Sequence, residues 1–263
     1  GRQSGIGGCT GNGAATPYLA KLHSATPMRF LSTSLALIGL AIAGPVVATP
    51  LEDALAIYKK GDNQASYRFA LSRMAAKDYD TAYRLMNRLA GTDNMPEAQE
   101  KMGRIFEEGL GVPQSYVRAF DWYNMAANKG NADAQEALAT LYLEGQGVKE
   151  DQNAALMWYR KAIGNGSVRA EERLANLYYI GRAVVQDYAA AAKWYRAAAE
   201  HGSAKAQERL GAMYRLGRGV PRENFAEAIA WYTKSADAGN GDAQLALGEM
   251  YRQGQGVEKN NAT

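Results

Sequence analysis

Few side chains in this chain have the type and spacing to do chemistry. Downstream of residue 48 there is one histidine, His201, and no cysteine. Without further partners neither a Cys-His pair nor a Ser-His-Asp triad can be assembled. Zinc would need more His or Cys, or an unusual carboxylate set. Two acid pairs, Glu107-Glu108 and Glu171-Glu172, offer carboxylates, but adjacent helical positions point in different directions, so both pairs are expected to be solvated. His201 precedes Gly202 and reads as a cation or hydrogen-bond donor at a helix end. Five Gly-x-Gly-like turns could cradle phosphate, yet no strand precedes them and no Gly-Lys-Ser/Thr follows. Four Trp-Tyr pairs could line an aromatic groove. Each tryptophan reads instead as a core wedge between helix pairs, with its N–H reaching a carbonyl. The residues therefore provide no catalytic, cofactor-binding or metal site.

What positions these residues is a repeat. From Ala98, Ala134, Ala170, Ala206 and Ala243 one frame restarts in steps of 36, 36, 36 and 37 residues. Such a period denotes stacked supersecondary units rather than one globular core. Ala134, Leu138, Leu141 and Tyr142 share one side of a helix, and every other copy keeps that spacing. Small residues recur at Gly103, Ala139, Ala175, Gly211 and Gly248. A helical glycine costs about 1 kcal/mol against alanine, so its reuse predicts a neighbouring helix passing close by. The first helix should stop at Gly109, Gly145, Gly181, Gly217 or Gly254. A valine at 112, 148, 184, 220 or 257 then dips back toward the core. Ser115, Asp151, Asp187 and Asn224 are suited to cap a second helix, which carries the Trp-Tyr pair. One extra residue between Pro221 and Phe225 falls in the fourth turn, where lengthening costs little.

The pattern A-x-x-x-L-G-x-x-Y-x-x-G-x-G-V, then A-x-x-W-Y and a closing glycine, resembles the Sel-one-like repeat family, a relative of the tetratricopeptide repeats. The likeness covers 98–133, 134–169, 170–205 and 206–242, with a partial copy at 243–263. It implies an all-α fold, a right-handed superhelical α-solenoid of antiparallel helix pairs. It also implies an adaptor that binds protein partners without a cofactor. One cysteine-rich secreted branch has been linked to β-lactam binding and hydrolysis and carries a disulfide in each repeat. This chain departs from that branch at every repeat. A hydrolase of cell-wall-like or β-lactam substrates is thus the disfavoured alternative to a non-catalytic scaffold.

The resemblance places the first helices along a concave surface. Positions two, six and nine after each starting alanine lie opposite the apolar stripe by helical arithmetic. The ninth reads Glu107, Leu143, Tyr179, Arg215, Arg252; the sixth includes Arg104 and Asn176. These seven residues are the candidate partner-binding set, with Leu143, Tyr179 and Arg215 at its centre. Ordinary surface variation is the competing explanation.

Residues 49–97 read as a divergent leading cap. Tyr67, Leu71 and Met74 offer one helical face, and Tyr79, Ala82, Leu85, Met86 and Leu89 another, around a Lys77-Asp78 turn. Leu51–Lys59 would add a short helix. Upstream, Met28-Arg29, the apolar run Phe30 to Ala43 and the exit Val46-Val47-Ala48 have the layout of a secretory signal peptide over 28–48, cleaved after Ala48. An uncleaved anchor is the alternative. Residues 1–27 read as a non-native or disordered extension, so Cys9 and His23 build no site. Removing Arg2, Lys21 and Arg29 from the 30 basic residues leaves 27 against 27 acidic ones. That balance lacks the basic excess of a nucleic-acid binder. A periplasmic or secreted scaffold for an envelope protein is the expectation, with no membrane span once the signal is removed. The fifth copy breaks off at Thr263, with Asn260 where its second-helix cap belongs. This predicts a truncated chain, or self-association through an open C-terminal face.

Overall fold

The computed structural model describes residues 50–257. The signal-peptide layout, residues 1–27 and Asn260 lie outside them. Twelve helices are described: α1 (Pro50–Lys59), α2 (Asn63–Ala75), α3 (Tyr79–Gly91), α4 (Pro96–Glu108), α5 (Tyr116–Asn128), α6 (Ala132–Glu144), α7 (Gln152–Gly164), α8 (Val168–Ile180), α9 (Tyr188–Glu200), α10 (Ala204–Leu216), α11 (Phe225–Asp237) and α12 (Gly241–Gln253). None of them is long and apolar enough to cross a membrane.

From α2 onward every helix has 13 residues. Helices this short are marginal alone in water, so packing must hold them. Each packs on its neighbours in sequence, and the first helices α4 and α6 also touch. The described residues thus form an all-α stack of helix pairs.

Both ends of each pair are fixed as the spacing requires. Gly109, Gly145, Gly181, Gly217 and Gly254 close the first helices at φ 69, 65, 74, 62 and 71°, the left-handed region open to glycine. Ser115, Asp151, Asp187 and Asn224 cap the second helices through their side chains. Their amides donate to Phe106, Tyr142, Tyr178 and Tyr214 carbonyls at 2.8–3.0 Å, which closes the long turn identically each time. Within that turn a second small residue also has positive φ. A Cβ at Gly219 would lie 1.9 Å from the Tyr188 carbonyl oxygen, whereas the third copy holds Ala183 at φ 63°. In the leading segment Lys77 takes φ 59°, and Asp78 caps α3.

The core corrects the reading of the Trp-Tyr pair. The wedge is the tyrosine: Tyr123, Tyr159, Tyr195 and Tyr232 are 1–2% exposed. Trp158 and Trp231 are buried less completely, and Trp122 and Trp194 only half. Neighbouring helical positions diverge by about 100°. The tyrosine therefore enters the seam within its pair, and the tryptophan turns to the edge. There Lys161 and Lys234 each set an ammonium 4.1 Å from a tryptophan ring. Trp231 Nε1 is buried without a hydrogen-bond partner among the described residues, contrary to expectation. Two of the three helical glycines mark close approach: a Cβ at Gly103 would lie 2.5 Å from the Tyr123 ring and one at Gly211 2.9 Å from Tyr232, whereas one at Gly248 would meet nothing within 4 Å.

A polar clasp joins successive repeats. Gln99, Gln135 and Gln207, one position after the starting alanine, donate Nε2 to the carbonyls of Ala90, Ala127 and Ala199 at 2.9–3.1 Å. Each thereby satisfies the end of the preceding second helix. Their Oε1 atoms are met from the end of the second helix of their own repeat: Lys129 Nζ donates to Gln99 at 2.9 Å and Asn165 Nδ2 to Gln135 at 2.8 Å. The third copy keeps the geometry with other chemistry, since Glu171 stands in the glutamine position and His201 Nδ1 lies 2.8 Å from it. His201 thus serves at a helix end, as its position suggested. In the fourth copy Ala238 occupies the donor position, and Gln207 Oε1 is buried without a partner among the described residues.

Candidate functional site

The seven residues selected from the sequence do not form one groove. Leu143 is 5% exposed. The turn after α8 folds over the end of α6, where Arg182 donates to the Leu143 carbonyl at 3.1 Å and to Glu144 at 2.9 Å. Helical arithmetic counted contacts within a pair and omitted this next-repeat contact. Tyr179 packs edge-on against Tyr188 and Tyr195, at 5.2 and 6.5 Å, and its hydroxyl accepts from Arg218 at 3.0 Å. Arg215 is half-buried and 3.9 Å from Glu249, which also lies 3.6 Å from Arg252. Asn176 is exposed, with its Oδ1 3.5 Å from the Tyr195 hydroxyl. Arg104 and Glu107 alone border a cleft.

The acid pairs also need correction, because all four carboxylates are engaged: Glu108, though exposed, accepts from Arg104 at 2.6 Å. Glu107 accepts from the Tyr123 hydroxyl at 2.6 Å. Glu171 is buried in the clasp, and Glu172 accepts from Ser203 at 3.0 Å. The partners of Glu107, Glu171 and Glu172 come from the second helix of the same repeat or from the residues that close it. Burial, reinforced by Glu107, raises the Tyr123 phenol far above its ordinary range, while burial pushes Tyr195 and Tyr232 up to about 12. These hydroxyls hold their protons at neutral pH, and those of Tyr123 and Tyr195 act as donors.

A column at the second position was overlooked: Glu100, Glu136, Glu172 and Glu208. The repetition of one acid at one frame position was a legible signal. Glu136 has a side chain only 2% exposed, and two arginines from the next repeat hold it. Arg169 lies 3.0 Å away and Arg173 3.2 Å. Lys205 extends the ladder to Glu172 at 3.3 Å. A carboxylate this deep is tolerated because it is paired and hydrogen-bonded.

The ladder lacks its rung at Glu100. That carboxylate is buried and its ion pair is to Lys101 on its own helix, at 2.7 Å. Burial raises the Glu100 pKa against the pull of Lys101, and Asp133 adds to the rise. Tyr67 is pushed up to about 12 by burial, then by Glu100, Glu97 and Asp133. Beside Glu100 opens a cleft of about 380 Å³ between the first helices, bordered by Arg104, Asp133, Ala137, Thr140 and Arg173 among others. It carries charge of both signs and suits a polar or ionic guest. No group of three or more His, Cys, Asp or Glu among the described residues could hold a metal ion.

Comparison with known proteins places this arrangement. The Sel1 repeat model matches residues 96–131, 132–167, 168–203, 204–240 and 241–263, a frame opening two residues before each starting alanine. Among solved structures, a protective antigen of uropathogenic Escherichia coli with an SLR fold is 34% identical, with a TM-score of 0.70 over 80% of this chain. The match spans 45% of that antigen's length. A Sel1 repeat protein from Oxalobacter formigenes is 33% identical, with a TM-score of 0.63 over 73% of this chain and 78% of its own. A Sel1 repeat protein from Klebsiella pneumoniae shares the fold at 19% identity, with a TM-score of 0.53 over 77% of this chain and 99% of its own. No curated protein matches the chain.

Proposed function

For a chain that belongs to the Sel1 repeat family, we propose the role of an exported scaffold that holds a protein partner along the charged face of its first helices. Sel1 repeats are non-catalytic scaffolds and generally mediate protein–protein interactions. The observation that carries the reading is the charged cleft beside Glu100, where the internal ion-pair ladder is interrupted. Where the next repeat supplies a cation the repeats pair with one another, as Arg169 and Arg173 do with Glu136. Export rests on the Met28–Ala48 layout, and with it an envelope protein as the partner.

A photocrosslinker placed at Thr140 in intact cells tests the role. One dominant envelope protein, lost when Ala137→Arg fills the cleft, is the expected capture. Self-crosslinks alone would replace the scaffold with an assembly subunit. Fractionation with N-terminal sequencing tests export: a mature chain starting near Thr49 outside the cytoplasm is expected, and a cytoplasmic chain retaining Met28 removes it.

A further inference from the structure

We infer that the cleft between α4 and α6 is a socket for the guanidinium of an arginine carried on a segment of the partner. The inference rests on the scaffold reading and names the partner's chemistry.

The repeats supply their own comparison. Relative to the starting alanine, the residue before it and the third after it are Arg169 and Arg173 in α8, and Lys205 and Arg209 in α10. From the first of these positions Arg169 and Lys205 reach back to the glutamate of the preceding repeat, and from the second Arg173 does the same. In α6 those positions hold Asp133 and Ala137. Glu100 therefore receives no cation from the next repeat. Where the Arg173 counterpart would lie, Ala137 borders open volume of about 380 Å³, within the range of ligand-sized pockets.

Of the five carboxylates that border that volume, Glu107 is taken by Tyr123, Glu108 by Arg104 and Glu136 by the α8 arginines, which leaves Glu100 and Asp133 from different helices. Glu100 is buried and fixed, while Asp133 is exposed and has no hydrogen-bond or ion-pair partner among the described residues. A planar guanidinium can bridge two carboxylates through its fork of donors, and a compact ammonium matches that geometry less well. The Glu136 site shows the same chemistry satisfied internally, with guanidinium nitrogens at 3.0 and 3.2 Å. The partner segment would thus supply the missing rung.

The test uses the full chain with three blocked tripeptides, acetyl-Gly-X-Gly-amide, where X is arginine, lysine or the neutral isostere citrulline. Amide chemical shifts of Glu100, Asp133 and Ala137 should titrate saturably with the arginine peptide. Lysine should bind more weakly, and citrulline at least tenfold more weakly. Ala137→Arg installs the missing arginine and should abolish the titration while preserving the helical circular dichroism. Asp133→Arg, at an exposed position, should do the same and serves if the first variant misfolds. Equal shifts with citrulline, shifts elsewhere, or a titration unchanged in both variants would overturn the socket. So would stronger binding of a phosphoserine peptide at Lys101 and Arg104. A partner captured from the Thr140 crosslinker in cells, without arginine selectivity, would retain the scaffold and remove only the socket.

Discussion

Ala238→Asn should stabilise the C-terminal repeats by about 1 kcal/mol. At the end of each second helix, Lys129 and Asn165 donate to the glutamine oxygens of their own copy at 2.9 and 2.8 Å. Ala238 stands in the same place and has nothing to donate, which leaves Gln207 Oε1 buried and unpaired. The backbone is ready for the change: Ala238 has φ −80° and ψ 5°, and Asn165 has φ −99° and ψ 14°. An unsatisfied buried acceptor costs about 1–3 kcal/mol, and ordering an exposed asparagine returns part of that. A net gain of about 1 kcal/mol corresponds to roughly a fivefold shift in equilibrium.

Stacked repeats can unfold in parts, so a single global transition is a poor readout. Native-state hydrogen exchange resolves the segment concerned. Amides of α11 and α12 should exchange about fivefold more slowly in the variant, with α4 and α5 unchanged. The gain must depend on Gln207. In a double-mutant cycle with Gln207→Ala, Ala238→Asn should gain nothing. An equal gain in that background would assign the effect to helix capping and refute the clasp argument.

Other substitutions test the seams and the histidine. Gly103→Ala should destabilise by about 1–3 kcal/mol, since its Cβ would sit 2.5 Å from the Tyr123 ring and overpacking exceeds the gain in helix propensity. Gly248→Ala has nothing within 4 Å of the added carbon and should gain about 1 kcal/mol in denaturant unfolding; equal losses at both sites would sink the close-approach argument. Tyr159→Ala should cost about 3–5 kcal/mol and half-buried Trp194→Ala clearly less, the reverse order restoring tryptophan as the wedge. The hydrogen bond from His201 to Glu171, then the charge of that carboxylate, raises the imidazole pKa. Its contribution to stability is therefore complete below about pH 6.5 and fades as pH rises through the higher folded value. His201→Gln should flatten that part of the stability–pH curve, and an unchanged slope would remove the pair from the account.

The sequence made the repeat legible because its determinants are local. A glycine at Gly109 or Gly145 ends a helix by its own backbone freedom, and Asp151 caps one by reaching three residues along. Such rules act within one unit and recur in each. What was misread depends on packing between helices, within a pair or from the adjoining unit. Leu143 looked exposed on a helical wheel until the Arg182 turn covered it. Glu171 looked solvated until His201, at the end of the second helix of the same repeat, reached it. Tyrosine and tryptophan sit side by side in sequence, and only the interhelical seam decides which is buried. The charged face lay between these cases. Its glutamates repeat openly at 100, 136, 172 and 208, and the substitutions that interrupt its cations, Asp133 and Ala137, are equally plain. They acquire meaning once the preceding repeat is known to be their target. Within a repeat protein, then, the informative residue for binding is the copy that fails to pair with its neighbour. Glu208 extends that argument. It faces Asp242 and Ala246 in register, its pKa is raised by burial and then by Asp242 despite Arg209, and its ion pair is to Arg209 of its own helix at 3.4 Å. The interruption at Glu100 thus recurs three repeats on, and Ala246→Arg should stabilise α12 against hydrogen exchange as a cross-repeat rung would. Unaltered protection there would show that an arginine in this register does not pair across the repeats by position alone.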